Sequence, residues 1–177
     1  MDVLINNAGH GLYGEFWTQP WDQLHNMLEL DIVVLTQMTR LFAADMVARK
    51  FGYILQVAST GAFQPTPTYA AYAAAKSYVL NFGEALHYEL RQTGVKCTVL
   101  CPGVTRTEFF EAAGQATLTP SQSSSMMESA TVARIGITAM LQGRASVVAG
   151  RMNAFLAFGT RLLSRQTLAA IVYRMMK

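Results

Sequence analysis

Residues 53–101 have the sequence YILQVASTGAFQPTPTYAAYAAAKSYVLNFGEALHYELRQTGVKCTVLC. The stretch opens with a short apolar run, 53–58, and passes through a loop rich in glycine and proline, 60–68. Small and apolar residues then continue over 70–92, and a second short apolar run, 96–101, follows. Short apolar runs predict buried strands, and the long segment between them predicts a helix. Since a strand, a crossover helix and a second strand form a right-handed parallel unit, this stretch predicts a parallel sheet.

The same alternation extends in both directions along the chain. The other predicted elements are a strand at 2–6, a helix at 28–50, loop-like residues at 105–125, a helix at 129–142, a strand at 145–149 and helical segments at 152–176. Strands separated by long helices are typical of an α/β fold, with a parallel sheet covered by helices on both faces. With 177 residues, 51% of them hydrophobic and 14% charged, the chain fits one globular domain covering 1–177.

The two cysteines, Cys97 and Cys101, lie four residues apart in a predicted strand. Their Cα atoms would be about 13 Å apart at about 3.3 Å per residue, which is too far for a disulfide. No histidine cluster accompanies them, so we expect no metal site. Two buried thiols are typical of a reducing compartment, and we expect a cytoplasmic protein.

Chemically useful residues occur where the predicted strands end. Ligands of open parallel sheets bind beyond the carboxyl ends of the strands, which here lead into the loops Asn7–Gly14, Ser59–Thr68 and Pro102–Glu111. Tyr72 and Lys76 are four residues apart on the predicted helix and therefore share a face. A nearby ammonium lowers the pKa of a phenol, which could then exchange a proton with a carbonyl or alcohol oxygen.

The motifs Asn6-Asn-Ala-Gly9, Ser59, Tyr72-Ala-Ala-Ala-Lys76 and Pro102-Gly103 with Thr107 together resemble the short-chain dehydrogenase/reductase family over essentially the whole chain. The resemblance implies a Rossmann-like fold and an NAD(P)-dependent oxidoreductase that interconverts a secondary alcohol and a ketone. It makes Tyr72 the general acid/base, with Ser59 orienting the substrate oxygen and Lys76 lowering the tyrosine pKa and holding the nicotinamide ribose.

The resemblance also implies the residues that contact the cofactor, either NAD or NADP. These residues are Asn7, Ala8, Gly9, Tyr72, Lys76, Pro102, Gly103, Thr105 and Thr107. Residues 107–127 would form the substrate loop. Apolar side chains in or near this loop favour a hydrophobic substrate, although core packing explains them equally well. A homo-oligomer is expected.

The sequence departs from the family pattern at Asp31, which aligns with a catalytic asparagine. An ionised aspartate accepts hydrogen bonds but cannot donate them, so the proton relay would be altered, or Asp31 would have no catalytic part.

The family's glycine-rich turn, which binds the pyrophosphate, has no counterpart in this sequence, and neither do the first three strands of the family fold. We therefore expect an incomplete Rossmann-like sheet in a truncated chain without the adenine-binding half. Its first strand would have a bare edge, so that a free monomer would be marginal or partner-dependent. The alternative function is a catalytically silent fragment that serves as a structural or interaction module.

Charge is distributed unevenly along the chain. Residues 1–128 contain seven basic and eleven acidic side chains, whereas residues 129–177 contain seven basic side chains and no acidic one. Residues 151–177 form a basic, apolar, helical tail. Packing against its own domain or a partner subunit is one interpretation, and contact with an anionic membrane surface is the other. No pattern favours nucleic acid.

Overall fold

The structure, a computed structural model, describes residues 1–176 apart from the side chain of Ser121. The described residues form six strands: β1 (Val3–Asn6), β2 (Gly52–Val57), β3 (Val95–Cys101), β4 (Thr105–Arg106), β5 (Met127–Glu128) and β6 (Ser146–Val148). The α-helices are α1 (Trp21–Leu28), α2 (Leu35–Arg49), α3 (Ala70–Leu90), α4 (Phe109–Ala112), α5 (Pro120–Ser124), α6 (Ser129–Leu141), α7 (Arg151–Gly159) and α8 (Arg165–Met176).

The main sheet is parallel throughout and has the order β1-β2-β3-β6. Side chains alternate across it, so that neighbouring residues Ile54 and Leu55 enter different cores. Ile54 packs with Met46 of α2 and Leu90 of α3, whereas Leu55 packs against Met140 of α6. Helices therefore cover both faces, as the sequence predicted.

Strand β1 lies at the edge of this sheet and pairs only with β2. Leu4 is buried against α2, but Val3 and Ile5, which point the other way, are 42% and 47% exposed. The bare strand edge expected from the sequence is therefore present.

Two regions differ from the sequence-based prediction. The sequence predicts a short helix entered near Asp22 and a separate helix from residue 28. The short helix is present as α1, but it continues without a break through a π-helical segment (Glu29–Val34) into α2. The residues predicted as a loop at 105–125 instead contain β4, α4 and α5. The helices there are too short for apolar periodicity to reveal them. The Thr119 hydroxyl caps α5, since its Oγ1 accepts from the Gln122 N–H at 3.3 Å.

Cys97 and Cys101 are free thiols buried in the sheet. Burial raises the pKa of each thiol to about 12, so both remain protonated and unreactive. None of the described helices is both long enough and apolar enough to cross a lipid bilayer.

Candidate active site

The loops that follow β1, β2 and β3 form one cleft at the carboxyl edge of the sheet, with a volume of about 1340 Å³. The predicted site residues that line it are Asn7, Gly9, Ser59, Tyr72, Lys76, Pro102, Gly103, Thr105 and Thr107. Two others do not. Asp31 is buried next to Lys76, and Ala8 is exposed outside the cleft.

Tyr72 and Lys76 occupy successive turns near the start of α3 and face the cleft together. The Lys76 Nζ atom lies 5.6 Å from the centre of the Tyr72 ring. Lys76 is only 5% exposed, and its ammonium also donates to the carbonyl oxygen of Val57 at 3.4 Å. A buried ammonium anchored to β2 gives the cleft a fixed positive charge beside the phenol.

Ser59 follows the end of β2 and caps a single 3-10 turn, Thr60–Phe63. Its Oγ accepts the N–H of Gly61 at 3.0 Å, which fixes the side chain. The hydroxyl proton of Ser59 remains available for donation to Tyr72 or to a ligand oxygen in the cleft.

The pKa of Tyr72 is raised above its ordinary value. Burial is the main cause, the Ser59 side chain lowers the pKa by hydrogen bonding, and the charge of Asp31 raises it. This direction is opposite to the lowering by Lys76 that the sequence predicted. The physical reason is that Asp31 neutralises the Lys76 ammonium while burial disfavours the phenolate.

Asp31 lies in the π-helical segment with its side chain wholly buried, and its Oδ2 atom is 3.2 Å from Lys76 Nζ. Neither carboxylate oxygen has a well-aligned hydrogen bond within the described residues. Burial raises the pKa of Asp31, and attraction to Lys76 and then to His10 lowers it, with burial the larger effect. The π-helical segment that contains Asp31 is a kind of geometry that is frequent at functional sites.

Gly9 makes the close approach of the first loop to this pair possible. A Cβ atom at position 9 would lie 2.5 Å from Asp31 Oδ1 and 3.0 Å from Lys76 Nζ. A side chain at this position would therefore displace the ion pair, and glycine leaves it in place.

The amide side chain of Asn6 braces β1 against its neighbours. Its Nδ2 group donates to Thr39 Oγ1 and to Gln56 Oε1, both at 2.9 Å, and Gln56 in turn donates to Thr39 at 2.8 Å. Sequence reasoning did not identify Thr39 and Gln56, since buried polar residues inside a helix and a strand carry no distinctive pattern.

The loop after β3 packs closely against a residue that sequence reasoning missed, Asn153 on α7. A Cβ atom at Gly103 would lie 2.4 Å from Asn153 Nδ2, and that amide donates to the carbonyl of Ala149 at 2.7 Å. Thr105 Oγ1 donates to the carbonyl of Gly103 at 2.9 Å, which tightens the turn. Asn153 follows the last short strand, and its position beyond a strand end is the signal that could have identified it.

An aromatic cluster borders the phenol of Tyr72. The Phe109 ring centre lies 5.2 Å from that of Tyr72, and the Tyr69 ring centre lies 5.8 Å from it. Tyr69 donates its hydroxyl to Gln115 Oε1 at 2.8 Å, and Gln115 Nε2 donates to Gln122 Oε1 at 2.9 Å. This buried chain of polar groups holds the region 107–127 against the cleft.

The comparisons with known proteins agree with this geometry. The sequence pattern described as "short chain dehydrogenase" matches residues 1–118. "Probable oxidoreductase EphD" of Mycobacterium tuberculosis is 32% identical over 114 residues, which are 64% of this chain and 19% of that protein. The chain therefore spans only a small part of that relative.

Two solved structures share the fold. A 7beta-hydroxysteroid dehydrogenase superposes with a TM-score of 0.84 at 18% identity, covering 97% of this chain and 67% of that one. A short-chain dehydrogenase from Sphingobium yanoikuyae, in complex with NADPH, gives a TM-score of 0.77 at 25% identity, covering 92% and 64%.

The chain belongs to the short-chain dehydrogenase family, a family of NAD(P)-dependent oxidoreductases. The Rossmann-like α/β fold predicted from the sequence is confirmed.

Proposed function

We propose that this chain interconverts a secondary alcohol and a ketone with NAD or NADP, using Tyr72 as the general acid/base. One observation carries the proposal: Tyr72, Ser59 and Lys76 line a single cleft, with the Lys76 ammonium 5.6 Å from the centre of the Tyr72 ring. A proton donor, an orienting hydroxyl and a buried cation form the set that carbonyl reduction requires.

The residues of the cleft fit the nicotinamide end of such a cofactor. Gly9 leaves the backbone without a side chain beside the Lys76 ammonium, and Gly103 does so beside Asn153. Asn7, Lys76 and the turn from Pro102 to Thr107 would hold the nicotinamide and its ribose, with Ala8 outside the cleft wall. When bound, the nicotinamide supplies or accepts the hydride.

In ketone reduction, Tyr72 donates its hydroxyl proton to the carbonyl oxygen as the carbonyl carbon becomes reduced. The raised pKa of Tyr72 keeps the phenol protonated and ready to donate. Ser59 donates a hydrogen bond to the same oxygen, and the Lys76 ammonium stabilises the phenolate left behind. Asp31 holds Lys76 in place and does not itself reach the substrate.

The substrate is proposed to be apolar. Phe109, Phe110 and Met127 line the cleft, so the aromatic and apolar wall faces the ligand space. Phe63, by contrast, packs into the core with Val79 and gives no support to a substrate role. We assign residues 107–127 as the substrate loop of a single domain, because Tyr69 fastens this region to the cleft through Gln115.

A homo-oligomer is also proposed. Val33 and Tyr78, 38% exposed each, and Leu41, 64% exposed, form an apolar outer surface on the α2–α3 side that suits a second copy. Analytical ultracentrifugation tests this, and a monomer at every concentration would contradict it.

The function is tested by titrating the protein with NADH and NADPH, followed by fluorescence, and then measuring cofactor consumption with a set of apolar ketones. Saturable binding and turnover are expected. Lys76→Met should weaken binding, whereas the matched variant Lys96→Met, whose ammonium bonds to the carbonyl of Leu141 outside the cleft, should bind normally. Absence of binding at millimolar cofactor would instead favour a catalytically silent structural module.

A further inference from the structure

Residues 151–176, here called the C-terminal arm, present an apolar outer face. On α7, Met152, Phe155, Leu156 and Phe158 are 69%, 71%, 59% and 59% exposed, while Ala157 is buried. At about 100° per residue the four exposed side chains fall within an arc of roughly 160° that excludes Ala157. An ordinary surface helix has the opposite arrangement, with its polar side outward.

The apolar surface continues beyond α7. The side chain of Leu162 is 76% exposed, and those of Leu163, Ile171 and Met175 are 47%, 43% and 53% exposed. Single exposed apolar residues are common, but a dense set in one short segment marks a contact surface.

The charges of the arm are all positive. Arg151, Arg161, Arg165 and Arg174 lie among the apolar residues, and 129–177 contains no aspartate or glutamate. No ion pair within residues 1–176 uses any of these four arginines. Their charge is therefore available to an anionic partner.

The arm also borders the active-site cleft. Met152, Leu156 and Met175 line the cleft and are exposed at the same time. The α8 end is fixed to the loop after β1, because Tyr13 donates its hydroxyl to the carbonyl of Met176 at 3.2 Å. An apolar path therefore leads from the outer face of the arm to the cleft that contains Tyr72.

We infer that the C-terminal arm docks on an anionic lipid surface, with its apolar outer face in the headgroup–acyl boundary and the cleft mouth open to the lipid. A helix with an apolar face and arginines lies in such an interface without crossing it. A second copy is a poorer occupant, since a two-fold contact would bring this acid-free, arginine-bearing surface against itself. The second part, which rests on the proposed function, is that the ketone or alcohol enters the cleft from the lipid.

Docking is tested by co-sedimentation with phosphatidylcholine vesicles that contain or lack phosphatidylglycerol. The protein should bind the anionic vesicles and bind pure phosphatidylcholine much more weakly. The variant Phe155→Ser/Phe158→Ser removes two outer-face side chains and should weaken binding by about tenfold or more. Its matched control, Ile137→Ser/Leu141→Ser, removes exposed apolar side chains of α6, 41% and 53% exposed, and should bind like the unmodified protein.

The charge contribution is tested in the same assay. Arg161→Gln/Arg165→Gln should weaken binding to anionic vesicles by about thirtyfold, since each basic residue near the surface adds about 1 kcal/mol. Arg134→Gln/Arg144→Gln, outside the arm, should have little effect. Unchanged vesicle binding in the Phe155/Phe158 variant would overturn the inference. If the unmodified protein does not bind anionic vesicles, and if it forms a dimer that the Phe155/Phe158 variant does not form, the apolar outer face is instead a contact with a second copy.

The entry route is tested by comparing turnover of a water-soluble ketone with turnover of a ketone dissolved in the vesicles. The Phe155/Phe158 variant should keep the first and lose most of the second. If the Phe155/Phe158 variant turns over both ketones equally well, the substrate does not enter from the lipid, although the inference that the arm docks still stands. If no ketone reacts while vesicle binding persists, the proposed function fails and docking stands.

Discussion

Asp31 and Lys76 form an ion pair of 3.2 Å in which only 0% and 6% of their side chains are exposed. The pair places the Asp31 carboxylate next to the Lys76 ammonium. Without this carboxylate, the phenol of Tyr72 would be close to a positive charge that nothing offsets. Burial is the main reason that the pKa of Tyr72 is raised, and the charge of Asp31 raises it further. The pair also links the stability of the protein to the pH behaviour of the site.

Lys76→Met leaves the Asp31 carboxylate buried without its counter-charge. Breaking a buried pair in this way costs about 3–5 kcal/mol of unfolding free energy, and a loss of that size is expected in urea unfolding near neutral pH. Burial already raises the pKa of Asp31, and loss of the ammonium raises it further. The deficit is therefore complete above that pKa and shrinks as the pH falls through it, because the carboxyl then becomes neutral.

The matched test of this prediction is the double variant Asp31→Asn/Lys76→Met, which has no buried charge at either position. It should recover most of the lost unfolding free energy near neutral pH. A double variant as unstable as Lys76→Met alone would show that the pair is not the cause.

Asp31→Asn should shift the pH profile of alcohol oxidation. In that direction Tyr72 must first be deprotonated, so the rate rises as the pH passes its pKa. Removing the Asp31 charge, which raises that pKa, should move the rising limb to lower pH by about one pH unit. Asp22→Asn, on exposed α1, should leave the profile in place. A limb that stays or moves to higher pH contradicts the assignment.

Gly9→Ala should disturb both cofactor binding and stability. Its Cβ atom would lie 2.5 Å from Asp31 Oδ1 and 3.0 Å from Lys76 Nζ. Overpacking of this kind costs about 1–3 kcal/mol, measurable by urea unfolding, and affinity for NADH or NADPH should fall as the ion pair moves. Gly159→Ala, where a Cβ atom meets nothing within 4 Å, should change neither property for the worse. Equal behaviour of the two variants would disprove the close-packing argument.

Tyr69→Phe removes the hydroxyl that holds Gln115 and, through it, the region 107–127. Loss of one such hydrogen bond should lower the unfolding free energy by about 1 kcal/mol. If this region shapes the substrate site, KM for the ketone should rise while kcat changes little. Tyr88→Phe, at a 65% exposed position, is the control. A fall in kcat at constant KM would argue that Tyr69 affects the chemistry and not the loop.

Much of the fold could be predicted because apolar periodicity follows burial. The strands near residues 53–58 and 96–101 and the helix near 70–92 appear within a few residues of their predicted ends, as β2, β3 and α3. The short helices α4 and α5 could not be predicted, because four or five residues are too few to show apolar periodicity. The Thr119 hydroxyl and the Gln115–Gln122 contact hold this region, and neither leaves a periodic signal. The short helix near Asp22 was predicted, but its π-helical connection to α2 was not, since no apolar pattern distinguishes a π-helical turn from an α-helical one.

The residues that form the candidate site could be predicted from the sequence, but the direction of the Tyr72 pKa change could not. Residues four apart on a helix share a face, so the sequence places Tyr72 and Lys76 side by side. Ser59 could be placed because it follows the end of a predicted strand. The sign of the Tyr72 pKa change depends on how deeply the phenol is buried and on Asp31 reaching Lys76 from another helix. Both depend on the tertiary structure, which the spacing of residues along the chain does not reveal.

The most direct test of the account is the rate of NAD(P)H-dependent ketone reduction by Tyr72→Phe, measured together with its cofactor affinity. Loss of the proton donor should reduce kcat by about 10²–10⁴-fold, while the dissociation constant for NAD(P)H and the circular dichroism spectrum stay close to those of the unmodified protein. A Tyr72→Phe protein that reduces the ketone at the unmodified rate would contradict the assignment of Tyr72 as the proton donor.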